Sequence, residues 1–231
     1  MNEIIVLDLK FKFGDTEDHI YPVVLKDKKN LILIDCGYVG FLPVLESAFF
    51  EKGLYCKDIT HVIITHHDHD HMGCLYDLKK KYPQIEIIAS EKESPYISGE
   101  KKSLRLEQAE AFQKTLPEDQ KAFGIAFCNL LKSVKTVKVD IKVNDGDHFD
   151  WIGGCKIIST PGHTPGHISV YSEKYNLIIA GDAIALEKGK PVIANPQFTI
   201  DMENAQLSMN NLLGSGAEKI ICYHGGILQL K

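Results

Sequence analysis

The chain has 231 residues, of which 44% are hydrophobic and 25% charged, a make-up that predicts a globular fold with a sizeable core rather than a disordered or fibrous chain. Its formal net charge of −5 argues against a nucleic-acid groove, because phosphates call for a basic surface. No apolar run approaches the ~20 residues needed to span a bilayer, and Asp8, Lys10 and Lys12 interrupt Met1 to Gly14, so neither a membrane helix nor a secretory leader is expected and the cytoplasm is the default location.

The chain opens with a candidate strand over Ile4 to Leu9. Val23 to Lys26 and Leu31 to Ile34 flank the polar turn Asp27-Lys28-Lys29-Asn30 and read as a hairpin. Phe41, Val44, Leu45, Ala48 and Phe49 recur at helical spacing, with Pro43 suited to the first turn and Gly53 to the stop. A short buried strand over His61 to Thr65 leads into a histidine-rich loop, then a helix near Gly73 to Lys81 and a strand over Ile85 to Ala89. Residues 94–134 differ, with helical patterns over Leu104 to Leu116 and Pro117 to Leu131. Strands return over Thr136 to Val139, Lys156 to Ser159, Ile168 to Tyr171 and Leu177 to Ala180. An amphipathic helix from Asp201 to Leu213 and a strand over Lys219 to Cys222 follow. This order predicts an α/β fold spanning 1–231 as one domain: a four-layered αββα sandwich with a helical insert over 94–134 between its halves.

Ten histidines occur, five of them between His61 and His71. The segment Thr65-His66-His67-Asp68-His69-Asp70-His71 follows the apolar run Val62-Ile63-Ile64 directly, and clustered His and Asp at a strand end are ligand types for divalent metals. A core would not tolerate so many unpaired imidazoles. Three more strand ends deliver one such residue each beside glycines: His163 in Thr160-Pro161-Gly162-His163, Asp182 after Ala180-Gly181, and His224 before Gly225-Gly226. The cysteines Cys36, Cys56, Cys74, Cys128, Cys155 and Cys222 form no C-x-x-C pair and read as reduced, hydrophobe-like thiols.

These residues resemble the metallo-β-lactamase superfamily, whose H-x-H-x-D-H loop is followed by a single His, a bridging Asp and a last His. The likeness runs from Leu33-Ile34-Asp35 to His224-Gly225-Gly226. It implies two divalent metal ions, zinc first, with iron or manganese as alternatives. His66, Asp68 and His163 would hold one ion, Asp70, His71 and His224 the other, and Asp182 both. Asp70 and Asp182 are the implied catalytic carboxylates, and Asp35 an implied support. One position departs, since the family's second His is Asp68 here. Shifting the register to His67 or His69 would misplace Asp70 and His71. Flavodiiron proteins carry a carboxylate at this place, and carboxylates ligate zinc, iron and manganese, so Asp68 is read as a ligand. Its charge would take the site from about +1 to about zero, which predicts weaker zinc selectivity than an all-histidine set.

The resemblance implies hydrolysis of a carbonyl ester, lactone or thioester of a small molecule by a water activated between two metals, and no G-x-S-x-G elbow offers a serine alternative. A di-iron redox enzyme without a flavodoxin domain and a phosphodiesterase are the alternatives. Neither nucleic acid nor membrane is an expected partner, and the oligomeric state stays open. The family's quorum-signal lactonases place a Tyr three residues after the bridging Asp, where this chain has Ala185. Tyr96, Phe112, Phe123 and Phe127 of the insert either form an apolar cap over the substrate or pack the insert down. His67 and His69 are expected outside the ligand set, near it or at the surface. His167 is expected to brace the His163 turn, and Tyr171 and Tyr223 to be core tyrosines with satisfied hydroxyls.

Overall fold

The structure is a computed structural model and describes residues 2–14 and 16–230; Met1, Asp15 and Lys231, which the expected single domain also spans, lie outside the described residues. In chain order the elements are β1 (Glu3–Val6), β2 (Leu9–Phe13), β3 (Thr16–Ile20), β4 (Val23–Lys26), β5 (Leu31–Ile34), α1 (Leu42–Glu51), β6 (His61–Ile64), α2 (His69–Met72), α3 (Leu75–Lys81) and β7 (Glu86–Ser90). The helices α4 (Ser94–Ile97), α5 (Leu104–Thr115) and α6 (Lys121–Ser133) follow. Then come β8 (Ile141–Val143), β9 (His148–Phe149), β10 (Cys155–Ser159), β11 (Ile168–Ser172), β12 (Leu177–Ile179), β13 (Ala185–Glu187), β14 (Lys190–Val192), α7 (Met202–Leu213), β15 (Lys219–Cys222) and β16 (Gly226–Gln229).

Two six-stranded sheets carry the architecture, ordered β1-β4-β5-β6-β7-β8 and β16-β15-β12-β11-β10-β9. The central strands are apolar on both faces, and the period of two sorts their side chains between layers. Leu33, Val62, Ile64 and Ile87 pack with Leu45 and Phe49 of α1 and with Leu75 and Leu78 of α3. The alternate residues Ile32, Ile34, Ile63 and Ile88 meet Ile157, Val170, Ile179 and Ile221 of the second sheet. The far face of that sheet, Ile178, Ile220 and Cys222, packs on Leu212 of α7. The layers are therefore helix, sheet, sheet, helix, as the sequence pattern predicts.

Several boundaries differ from the sequence reading. The opening strand is β1, and Leu9 begins a separate β2–β3 hairpin that was not anticipated. Residues 136–139 form no strand; the ladder forms at β8 instead. Val137 and Val139 are buried without ladder neighbours, so an alternating pattern signals a buried face there, not a sheet. The expected helix from Gly73 is preceded by α2, one short turn that already contains Asp70 and His71. All six cysteines are buried and free. Among the described residues no helix is long and apolar enough to cross a membrane.

Candidate metal centre

Every chemistry-bearing loop leaves the carboxyl end of a strand, and these ends share one edge of the sandwich. Thr65 to Asp68 and then α2 follow β6, His163 lies between β10 and β11, Asp182 follows β12, and His224 follows β15. The two sheets thus each contribute: His66, Asp68, Asp70 and His71 from one, His163, Asp182 and His224 from the other. The structure brings all seven together as three overlapping groups: His66–Asp68–His163, His66–His71–Asp182 and Asp70–His71–His224. Six of them are buried, and His224 is partly open. His163 Nε2 lies 3.0 Å from Asp68 Oδ2, and His66 Nε2 3.5 Å from it. His224 Nε2 is 3.2 Å from Asp70 Oδ2. Asp182 turns Oδ1 toward His71 (3.3 Å) and His224 (3.5 Å) and Oδ2 toward His163 (3.5 Å).

The nitrogens His66 Nε2, His71 Nε2 and His224 Nε2 and the oxygen Asp182 Oδ1 are buried and have no hydrogen-bond partner. Leaving buried polar atoms unsatisfied costs about 1–3 kcal/mol each, and convergent orphans of ligand type are what a divalent ion would satisfy, so these residues fit one.

Supporting hydrogen bonds turn the bare nitrogens inward. His71 donates Nδ1–H to Asp35 Oδ2 (2.8 Å). Asp35 also accepts from Thr65 N (2.9 Å) and Thr65 Oγ1 (2.8 Å). Because the Thr65 hydroxyl spends its hydrogen on Asp35, it accepts from His66 Nδ1 (3.0 Å), leaving Nε2 as the free donor atom. Thr199 Oγ1 donates to Ala194 O (3.1 Å) and receives His163 Nδ1 at 3.4 Å. His167 does more than brace its own turn. Its Nε2 accepts Asp182 N–H (2.9 Å), so Nδ1 donates to Thr160 Oγ1 (2.8 Å). Burial, reinforced by His66 and His163, holds its pKa well below the usual imidazole value, as an accepting nitrogen requires. A side chain at Gly181 would place Cβ 2.7 Å from His167 Nε2 with φ at +54°, so glycine there permits this contact.

Of the two places expected for His67, the structure shows the one near the cluster. The residue is fully buried, with Nδ1 paired to Glu93 and its ring stacked on Tyr96. Glu93, absent from the sequence reading, also accepts from His67 N (3.0 Å), Thr164 Oγ1 (2.8 Å) and Gly166 N (2.9 Å), so it ties the His66 loop to the His163 loop. His69 stays partly open beside Asp70 and edge-on to Tyr38. Tyr223 donates to Asp70 O (2.6 Å) and Tyr171 to Asn176 Oδ1 (2.9 Å), as expected of satisfied tyrosines.

Sequence reasoning also missed Arg105. It is 2% exposed and grips Asp68 with two nitrogens, Nη2 to Oδ2 at 2.5 Å and Nε to Oδ2 at 3.1 Å. Its remaining donors reach Gln108 Oε1 (2.6 Å) and Phe198 O, and Nη2 lies 3.3 Å from His163 Nε2. Burial opposes ionisation of Asp68, but Arg105 with His163 and His66 outweighs it and holds the carboxyl well below the usual range. Arg105 is the single arginine among 26 basic residues, and its planar guanidinium suits the two-nitrogen contact with a carboxylate.

A cavity of ≈ 690 Å³ opens above the cluster, walled by Tyr21, Tyr38, Phe127, Phe198, Leu186 and Asn195. Phe127 stacks on Phe198 with ring centroids 5.8 Å apart. Of the aromatics expected to cap it, Phe112 and Phe123 are instead 64% and 67% exposed, facing away.

The sequence profile of the metallo-beta-lactamase superfamily matches residues 15–224. The chain belongs to that superfamily. A probable metallo-hydrolase of Bacillus subtilis, YflN, is 27% identical over 222 residues, covering 90% of this chain and 80% of the relative. A hydroxyacylglutathione hydrolase of Yersinia enterocolitica is 25% identical over 170 residues, covering 73% of this chain but 48% of its own length. Among solved structures, a metallo-beta-lactamase family protein of Thermus thermophilus superposes with a TM-score of 0.75 at 20% identity, covering 98% of this chain and 74% of that one, and so shares the fold. Superfamily membership and a His/Asp cluster that fits an ion make the chain a metal-dependent hydrolase by class.

Proposed function

We propose that the chain hydrolyses a carbonyl ester, lactone or thioester of a small molecule using divalent metal. In this reading Asp70, His71 and His224 form one ligand group, His66, Asp68 and His163 the other, and Asp182 stands between them. The observation that carries the proposal is the set of convergent, unpartnered donor atoms at the floor of an open cavity. An ion held there supplies Lewis acidity, easing deprotonation of water and polarising a carbonyl oxygen. Asp70 or Asp182 would take the proton that water loses and carry it to the leaving group. Burial alone would raise both, yet the surrounding imidazoles hold each below the ordinary carboxylate range, so both are ionised. The Phe127–Phe198 wall suits the apolar part of an acyl group.

Thioesters are favoured by the likeness to hydroxyacylglutathione hydrolases. The cavity lining argues for a substrate of low negative charge. Its single Lys or Arg among the described residues is Arg105, already committed to Asp68, while Asp18 and Glu187 line the cavity too. A neutral acyl thioester is therefore turned over with a kcat/KM roughly tenfold above that of a dianionic one of equal acyl length. Preference for the dianionic substrate would remove the electrostatic part of the argument. The di-iron reading drew on a freely ligating Asp68, and the Arg105 clamp takes that support away. The test of the proposal itself is a screen of lactones, thioesters and phosphodiesters, before and after chelation and metal return. Ester or thioester hydrolysis that survives exhaustive chelation refutes it.

A further inference from the structure

The two ligand groups are unequal. Around Asp70 and Asp182 two negative charges face His71 and His224, and the described side chains in contact with them include no Lys or Arg. Around Asp68 the single negative charge is already cancelled by a buried guanidinium that cannot deprotonate. Arg105 occupies both Asp68 oxygens at hydrogen-bond range and brings Nη2 to 3.3 Å of His163 Nε2. Two of the three donors of that group are thus turned onto a cation. The arginine is itself held from behind by Gln108 and the Phe198 carbonyl, with its guanidinium 4.9 Å from the Phe198 ring centroid.

We propose that Arg105 sets the metal load of this site: the Asp70–His71–His224 group with Asp182 takes one divalent ion tightly, and the His66–Asp68–His163 group takes a second only against the guanidinium. This inference rests on the metal-dependent reading above and concerns how many ions the site retains. It also revises the charge expected from sequence, since the negative charge that Asp68 adds is spent on Arg105 and is not available to an ion. Asp68 is then a holder of Arg105 before it is a ligand.

The experiment is calorimetric titration of metal-free protein with zinc ion alone, with bound metal counted by elemental analysis after dialysis. The proteins are wild type, Arg105→Gln and Arg105→Lys. Wild type is expected to show one tight equivalent and a second roughly tenfold to a hundredfold weaker. Arg105→Gln should tighten the second by the same factor, and Arg105→Lys, which keeps a cation, should stay near wild type. Two equally tight equivalents in wild type overturn the role of Arg105 while leaving a metal hydrolase standing, and this result needs no variant to fold. Equal second affinities in wild type and Arg105→Gln overturn it as well. Wild type that binds no zinc overturns the metal reading beneath it.

Discussion

Asp182→Asn is expected to lower ester or thioester hydrolysis roughly a thousandfold, while His148→Ala leaves it unchanged. Asp182 turns its two oxygens to different imidazoles of the cluster, His71 and His224 on one side and His163 on the other. Asparagine keeps the volume and the backbone bond to His167 but removes the charge that faces both. His148 sits at the surface beside Glu173, away from the cluster, and is a fair control. His67 is unsuitable as a control because it is buried and paired. Steady-state kinetics and metal content of the two variants decide the matter. An Asp182→Asn protein within tenfold of wild type would end the assignment of Asp182 to the centre.

Glu93→Ala should destabilise the fold by about 3–5 kcal/mol, since it leaves His67 buried without its partner and strips acceptors from three loop donors. For a chain of this size that is a fall in melting temperature on the order of 10 °C. The effect carries a pH signature. Burial would raise the Glu93 pKa, but His67 and the hydrogen bonds around it outweigh burial and hold it below its ordinary 4.5. The stabilisation it gives is complete above that pH and is lost as pH falls through the lowered value. The gap between wild type and Glu93→Ala should therefore be widest above about pH 4.5 and close in stronger acid. Thermal melts across that range test it, and a gap that does not change with pH would mean the carboxylate charge is not what holds the loops.

The strands and the loops after them were legible because burial on both faces writes uninterrupted apolar runs such as Leu31 to Ile34 and Val62 to Ile64, the first followed at once by Asp35 and the second, after Thr65, by His66. The β2–β3 hairpin was not: β2 alternates Lys with apolar residues and its Leu9 and Phe11 pack inward, but β3 reads Thr16-Glu17-Asp18-His19 before Ile20, with no apolar alternation to mark a partner strand. Glu93 and Arg105 were invisible for another reason. Their partners lie 26 and 37 residues away, and a helix of mixed polarity gives no hint that one of its side chains is swallowed by the centre. Yet the departure at Asp68 posed the question that Arg105 answers. A buried carboxylate must find a cation, and Asp68 finds Arg105.

The placement of ligands on both sheets has a consequence for how the protein comes into being. The loop after β6 brings Asp70 and His71 together early in the chain, but His224 follows β15, so the Asp70–His71–His224 group is completed only when that late strand docks beside β12. A partly synthesised or partly folded chain has four clustered candidates and none of their three distant counterparts. An ion taken up at that stage is held loosely and exchanges, whereas one held by both sheets acts as a cross-link and adds its binding energy to the stability of the finished fold. The expected result is fast metal exchange before β15 docks and slow exchange in the finished fold.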